Sequence, residues 1–197
     1  MNFENDVKAA KQDDKEAFLR IIKKHEASMY RITKSILKNE QDCQDAIQNT
    51  IIKAYLGLHS LRQNDYFKTW LIRILINEGN IILKKQKKEV SLSSTLIDFF
   101  RKGKFVYEGT YEFDDVENID LHEALKQLDK ELKTIVILYY FEDFEIKQIA
   151  RITGIPEGTV KSRLSRARKK LKEKLYSEAF DRDLTRKHIE IGEFYDE

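Results

Sequence analysis

At 197 residues, with 36 Lys or Arg against 34 Asp or Glu, the chain has a formal net charge of +2, so as a whole it is not a polycation. Charged residues reach 36%, well above the usual level of about a quarter, and seven Gly with a single Pro favour an all-helical protein over a sheet. One cysteine, Cys43, excludes an internal disulfide and a multi-cysteine zinc site.

The charge is segregated: basic at 84–88 and 161–174, acidic at 108–120 and towards the C-terminus, which points to a localised anionic partner. The N-terminal MNFENDVKAAKQDDKEAF is polar and mixed in sign, so no signal peptide is expected. The longest apolar run, Ile135 to Phe141, is too short to span a bilayer. A soluble, cytoplasmic protein is expected, without membrane insertion.

In chain order, Phe18, Ile22, His25, Met29, Ile32 and Ile36 follow a helical period, widened by Leu19, Tyr30 and Leu37. His25 on that face reads as a satisfied core residue rather than a ligand. Asn39 is placed to cap the next helix, with Asp42 in its first turn. That helix is predicted to bury Ala46, Ile47, Ile51, Ala54, Tyr55 and Leu58, and its other face carries Asp42, Asp45, Gln48 and Asn49. A polar connector from Gly57 to Asp65 follows. A third helix, starting near Tyr66 or Phe67, is predicted to bury Phe67, Trp70, Leu71, Ile74 and Ile81, with Ile82 at the edge. It ends in Lys84, Lys85, Lys87 and Lys88, which suit both a helix C-terminus and a phosphate-facing role.

Residues 90–118 change character, with serines at 91, 93 and 94, Gly103 and Gly109, an apolar island at Leu96 to Phe100, and the acids Glu112, Asp114, Asp115 and Glu117. They read as a flexible linker. A new helical domain begins at Ile119, with Leu121, Ala124, Leu125 and Leu128 inward. Asp129 is placed to cap a helix whose predicted core is Leu132, Ile135, Val136, Tyr139 and Tyr140. After Leu175 the tail reads as a helical extension or a partly disordered end.

The segment from Glu145 to Leu175 carries the chemistry. Ile146, Ile149, Ala150 and Thr153 give a first helix one buried face; Gly154 suits a left-handed terminus, and Pro156 can open the next helix. Val160, Leu164, Ala167, Leu171 and Leu175 then form one apolar stripe, with Ser162, Ser165, Arg166 and Lys169 opposite and Thr159 and Lys161 on the flanks. Between Lys161 and Lys174 stand eight Lys or Arg and one acid, Glu173. A solvated face normally mixes both signs, so this bias favours an anionic partner. A helix-turn-helix entering a DNA major groove fits best. Neither GxGxxG nor GxxxxGK[ST] occurs, and no nucleophile, base and orienter group together, so no enzyme and no cofactor are expected.

Three blocks, in order, resemble the extracytoplasmic-function sigma factors of bacterial RNA polymerase: DCQDAIQNTIIKAYLGL (42–58), FKTWLIRILINEGNIILKK (67–85), and Leu128 to Leu171 with EGTVKSRLSRARKKL. The likeness implies an all-α protein of two small helical domains. Residues 1–89 would bind core polymerase and the −10 element, and 90–118 would be an acidic linker. Residues 119–175 would bind the −35 element through the helix-turn-helix, with 176–197 a C-terminal extension. It implies that Asp42, Asp45, Gln48 and Asn49 dock on the β′ subunit. Ser60, Leu61, Arg62, Gln63, Asn64 and Asp65 would capture a flipped −10 base, with Asn77, Asn80 and Lys84 facing the same DNA. Thr159, Lys161, Ser162, Arg163, Arg166 and Lys169 would meet the −35 element. Arg163 lies near the apolar stripe and would have to snorkel outwards to reach a phosphate. The implied partners are the polymerase core (β and β′), promoter DNA and a membrane-associated anti-sigma factor. The chain itself would be a monomeric, stress-response transcription initiation factor.

Overall fold

The computed structural model describes residues 3–89 and 119–192, with side chains up to residue 86 in the first stretch and over 121 and 123–175 in the second. The linker and its apolar island lie outside the described residues. All regular structure among the described residues is helical: α1 (Phe3–Ala10), α2 (Lys15–Lys24), α3 (Glu26–Ile36), α4 (Glu40–Gly57), α5 (Phe67–Glu89), α6 (Ile119–Lys126), α7 (Lys130–Val136), α8 (Ile146–Thr153) and α9 (Glu157–Gly192).

The single helical period read from Phe18 to Ile36 is two helices meeting at His25. His25 ends α2 by donating its N–H to the carbonyls of Ile22 and Lys23, and its own carbonyl accepts from Met29 in α3. Within α2, Leu19 faces outwards and Ile21 inwards. Ahead of it, the polar N-terminal segment forms α1, which buries Val7 and Ala10 against α2. Asp6 is buried there too, held by two nitrogens of Arg20 at 3.1 and 3.0 Å, and the Arg20 hydrogen bond keeps its carboxyl below the ordinary range.

Asn39 caps α4 as expected, its side chain accepting the Gln41 N–H at 2.9 Å. Tyr55, expected inside, is exposed and meets Phe18 edge-on. α5 packs against α3, α4 and α8, so more than one stripe is covered: Ile72, Leu75 and Ile76 are buried alongside Phe67 and Leu71. Ile81, expected inside, is exposed, while Ile82 and Leu83 next to it pack partly against the core.

In the second stretch α7 runs into a π-turn, Ile137–Phe141, closed by Glu142 N–H donating to the Ile137 carbonyl at 3.1 Å. The wider turn carries Tyr139 and Tyr140 off the α-helical stripe, so both expected core tyrosines are exposed. Their places are taken by Ile137 and Leu138, fully buried because the first half of the chain covers that side. Tyr140 lines a groove of about 640 Å³ with Leu121, Leu125, Leu171 and Leu175. Asp129 precedes α7 but its carboxylate does not cap it; it takes Lys170 of α9 at 2.8 Å instead. The tail is helical: α9 continues to Gly192.

The two halves touch extensively. α3 packs on α7, and α5 packs on α8. Ile135, Ile137, Leu138, Phe144, Ile149 and Ile152 belong to the same buried cluster as Met29, Ile32 and Leu71.

His25 is packed rather than satisfied. Its ring stacks on Phe67 at 5.8 Å and takes Phe3 edge-on at 5.6 Å, while Nε2 is buried without a hydrogen-bond partner. Burial, helped by the charge of Lys68, pushes its pKa down to about 4. An unfolded histidine titrates near 6.5, so the unfolded state binds the extra proton first as pH falls. Stability contributed by neutral His25 is complete above about pH 6.5, declines towards pH 4 and levels off below. The loss amounts to about 3 kcal/mol. Urea unfolding at pH 7 and pH 4.5 checks this: His25→Leu should show a smaller drop than the unsubstituted chain.

Candidate nucleic-acid interface

The helix-turn-helix is fixed by local chemistry. Glu145 and Gln148 form a reciprocal capping box on α8, with the Glu145 N–H donating to Gln148 Oε1 at 2.9 Å. Gly154 ends α8 at φ 73°, its N–H donating to the Ala150 carbonyl at 2.9 Å. The Pro156 carbonyl then accepts from Thr159 and Val160, opening α9. The inner face of α8 is centred on Ile149 and Ile152; Ile146, Ala150 and Thr153, expected inside, are only half-buried. In α9, Val160, Leu164 and Ala167 are buried, and Leu171 and Leu175 half-buried.

Opposite that stripe, Lys161, Ser162, Ser165, Arg166 and Lys169 are exposed and Thr159 is half-exposed. Lys161 and Arg166 have no ion-pair partner among the described residues, and Lys169 has only a loose one, Glu173 at 3.9 Å. Arg163 differs. Its guanidinium turns to α7 and meets Glu131 at 2.5 Å, with the side chain only 23% exposed. It braces α9 on α7 rather than joining the open basic face, because its position on the helix borders the apolar stripe.

On the first half, the connector forms two short 3₁₀ turns, Leu58–Ser60 and Asn64–Tyr66. Ser60, Arg62, Gln63 and Asp65 are exposed, and Asn64 is half-buried with Oδ1 lacking a partner. Leu61 is buried, so its side chain does not present to a base; Lys11 donates to its carbonyl. Asn77 and Lys84 are exposed on α5 and Asn80 is half-exposed. The loop lies at the start of α5, and Lys84 lies about 25 Å along it. Together they form a strip rather than one point.

On α4, Asp42 accepts from Gln86 at 2.6 Å and Asp45 from Gln41 at 3.3 Å; Gln48 is half-buried and Asn49 exposed. Both acids stay half-exposed, and their partners are exposed side chains that can let go at little cost.

Residues 21–89 match the family described as Sigma-70 region 2, and residues 118–171 match Sigma-70, region 4. The chain is 37% identical over 168 residues to the RNA polymerase sigma factor SigV of Bacillus subtilis, covering 85% of this chain and 96% of that protein. It is 30% identical over 181 residues to the ECF RNA polymerase sigma-E factor of Haemophilus influenzae, covering 86% and 93%. The chain belongs to the extracytoplasmic-function sigma factors. Among solved structures it is similar to the sigma factor RpoE in complex with the anti-sigma factor NepR from Bartonella quintana, with a TM-score of 0.62, 28% identity, and coverage of 84% and 98%.

Two surfaces of this sigma factor escaped the sequence reading. Arg73 is exposed and shares a face of α5 with Asn77, Asn80 and Lys84 at steps of four, three and four; that spacing was the available signal. Ile52 and Leu56 are 50% and 75% exposed on α4, in line with Asp45 and Asn49. Nothing in an apolar periodicity marks such residues as outward-facing.

The two glycines of the helix-turn-helix should respond oppositely. Gly154→Ala forces a left-handed side chain and should lower stability by about 1–2 kcal/mol. Gly158 lies in the first turn of α9 with open space where a Cβ would stand, so Gly158→Ala should raise stability by up to about 1 kcal/mol. Urea denaturation of both variants checks the pair.

Proposed function

We propose that this sigma factor lends promoter specificity to bacterial core RNA polymerase, docking through α4, opening and reading the −10 element with the 60–65 loop and α5, and reading the −35 element with α9. It acts in the cytoplasm as a monomer, is not itself an enzyme, and serves a stress response under an anti-sigma factor. The observation that carries the reading is the exposed pair Lys161 and Arg166 on a packed helix-turn-helix, in one chain with the Arg73, Asn77, Asn80 and Lys84 stripe.

Several features support the assignment of faces. Basic and short polar side chains at the start of α9 suit phosphates and base edges, and Arg is the side chain best shaped for a guanine. Ile52 and Leu56 supply apolar area beside Asp45 and Asn49, and a docking patch needs such a centre more than it needs rim charge. Control by an anti-sigma factor draws on the likeness to RpoE, which was solved with one.

Run-off transcription with purified core polymerase on a promoter library tests the whole reading. Discrete new start sites sharing an upstream motif are expected; unchanged start sites sink it. Two substitutions separate the surfaces. Arg166→Ala should lower transcription from that promoter about tenfold and leave binding to core unchanged. Leu56→Asp should weaken binding to core at least tenfold while thermal unfolding of the free protein stays put, because the side chain is exposed.

A further inference from the structure

The N-terminal helix belongs to none of the three candidate surfaces, yet it lies against the loop assigned to the −10 element. α1 runs from Phe3 to Ala10, about 10 Å along its axis. At its start the Phe3 ring meets Phe67, the fully buried first residue of α5, edge-on at 5.9 Å. Just past its end the Lys11 ammonium donates to the Leu61 carbonyl, fifty residues on. Between these points α1 packs on the turn Asn64–Tyr66. The helix therefore lies along residues 61–67 in the opposite direction, touching both ends of that stretch and its middle.

The end of α1 is fixed by its own backbone. The Asp14 N–H donates to the Ala9 carbonyl and the Asp13 N–H to the Ala10 carbonyl, both at 3.2 Å, with Asp13 left-handed at φ 65°. This paired bonding stops a helix sharply, and aspartate is among the few residues besides glycine that adopt the conformation readily. Lys11 is thus presented from a fixed turn, where helix ends otherwise fray. Asp13 Oδ1 also lies 3.4 Å from His59 Nε2, a second tie between the same segments. Both of those side chains are exposed, so that tie adds little.

The loop needs such support. Residues 61–63 lie between the 3₁₀ turns Leu58–Ser60 and Asn64–Tyr66 and belong to no regular element. Leu61 buries its side chain while Lys11 takes its carbonyl, so the peptide leading to Arg62 is held from both sides. Turning that one plane would re-aim every side chain beyond it. Asn64 follows with a buried Oδ1 that has no partner among the described residues, an acceptor left for an incoming donor to satisfy. A charged donor on a carbonyl is among the stronger hydrogen bonds, which suits Lys11 to the task.

We propose that α1 is a splint for the 60–65 loop and that Lys11 is its positioning residue, holding the Leu61 peptide in the orientation that presents Arg62, Gln63 and Asn64 to an unpaired −10 base. The inference rests on the −10 role proposed for that loop above. Lys11 acts through the loop and touches no base itself.

The test compares Lys11→Met, which keeps the aliphatic stem and removes the ammonium, with Lys11→Arg, which keeps a charged donor. The amides of Leu61 and Tyr66 are hydrogen-bonded at 3.1 and 3.2 Å within the two turns and report on the loop directly. In the free full-length protein their hydrogen exchange should quicken about tenfold in Lys11→Met, with the amides of α3 and α5 unchanged. With core polymerase, on templates varied one base at a time, Lys11→Met should lower discrimination at one −10 position about fivefold. Preference within the −35 element and binding to core should stay as they are, and Lys11→Arg should match the unsubstituted chain in both readouts. Should Lys11→Met not fold, Lys11→Gln is judged by the same two readouts. Unchanged exchange at Leu61 and Tyr66 overturns the splint. So does an equal loss of transcription on every template, the mark of a phosphate contact or a weakened fold. Inactivity of the unsubstituted protein on every promoter instead sinks the sigma-factor reading, and hydrogen exchange still judges the splint.

Discussion

A carboxylate taken out of water has to be answered, and the arrangement of this molecule follows from how Glu142 is answered. Its ligands come from α3 (Ser28, Arg31) and the first turn of α5 (Lys68), the two helices that also make the apolar interface with α7 and α8. Those apolar contacts, Ile137 and Leu138 among them, supply most of the attraction between the halves, because area removed from water is the dominant favourable term. The polar cluster selects the geometry in which that area is covered. Either contribution alone would be insufficient: apolar surfaces slide, and a lone ion pair barely repays its desolvation.

The π-turn at Ile137–Phe141 makes this possible. Without it, residue 142 would continue an α-helix and the aromatic pair would face inwards. The wider turn ends the helix, delivers the Glu142 side chain to the interface and leaves Tyr139 and Tyr140 outside. A local backbone irregularity thus sits within the interface between the halves.

Much of the fold was legible because it rests on short-range chemistry. The Asn39 cap, the left-handed Gly154 and the Val160–Leu164–Ala167 stripe each need only neighbouring residues, and each stands where the spacing put it. What spacing missed depends on contacts distant in sequence. The burial of Ile72, Leu75 and Ile76 requires α3, α4 and α8, the last about seventy residues on, to cover more than one side of α5. The break at His25 and the π-turn leave the apolar composition intact while shifting which residue faces inwards, so a periodicity count cannot register them. For the candidate interfaces, residue type led to the basic face of α9, but only geometry separates Arg166, which is open, from Arg163, which braces α7. The exposed Ile52 and Leu56 were hidden for the converse reason: their chemistry resembles core, and only a folded neighbourhood shows that nothing covers them.

Burial of Glu142 also decides how the molecule responds to dissolved ions. Mobile ions screen exposed charges, such as those of Lys161 and Arg166, beyond about 8 Å at physiological ionic strength. A carboxylate at 2% exposure is largely out of their reach. Concentrated electrolyte therefore weakens the field of the exposed basic face of α9 while leaving the Glu142 contact between the halves nearly untouched.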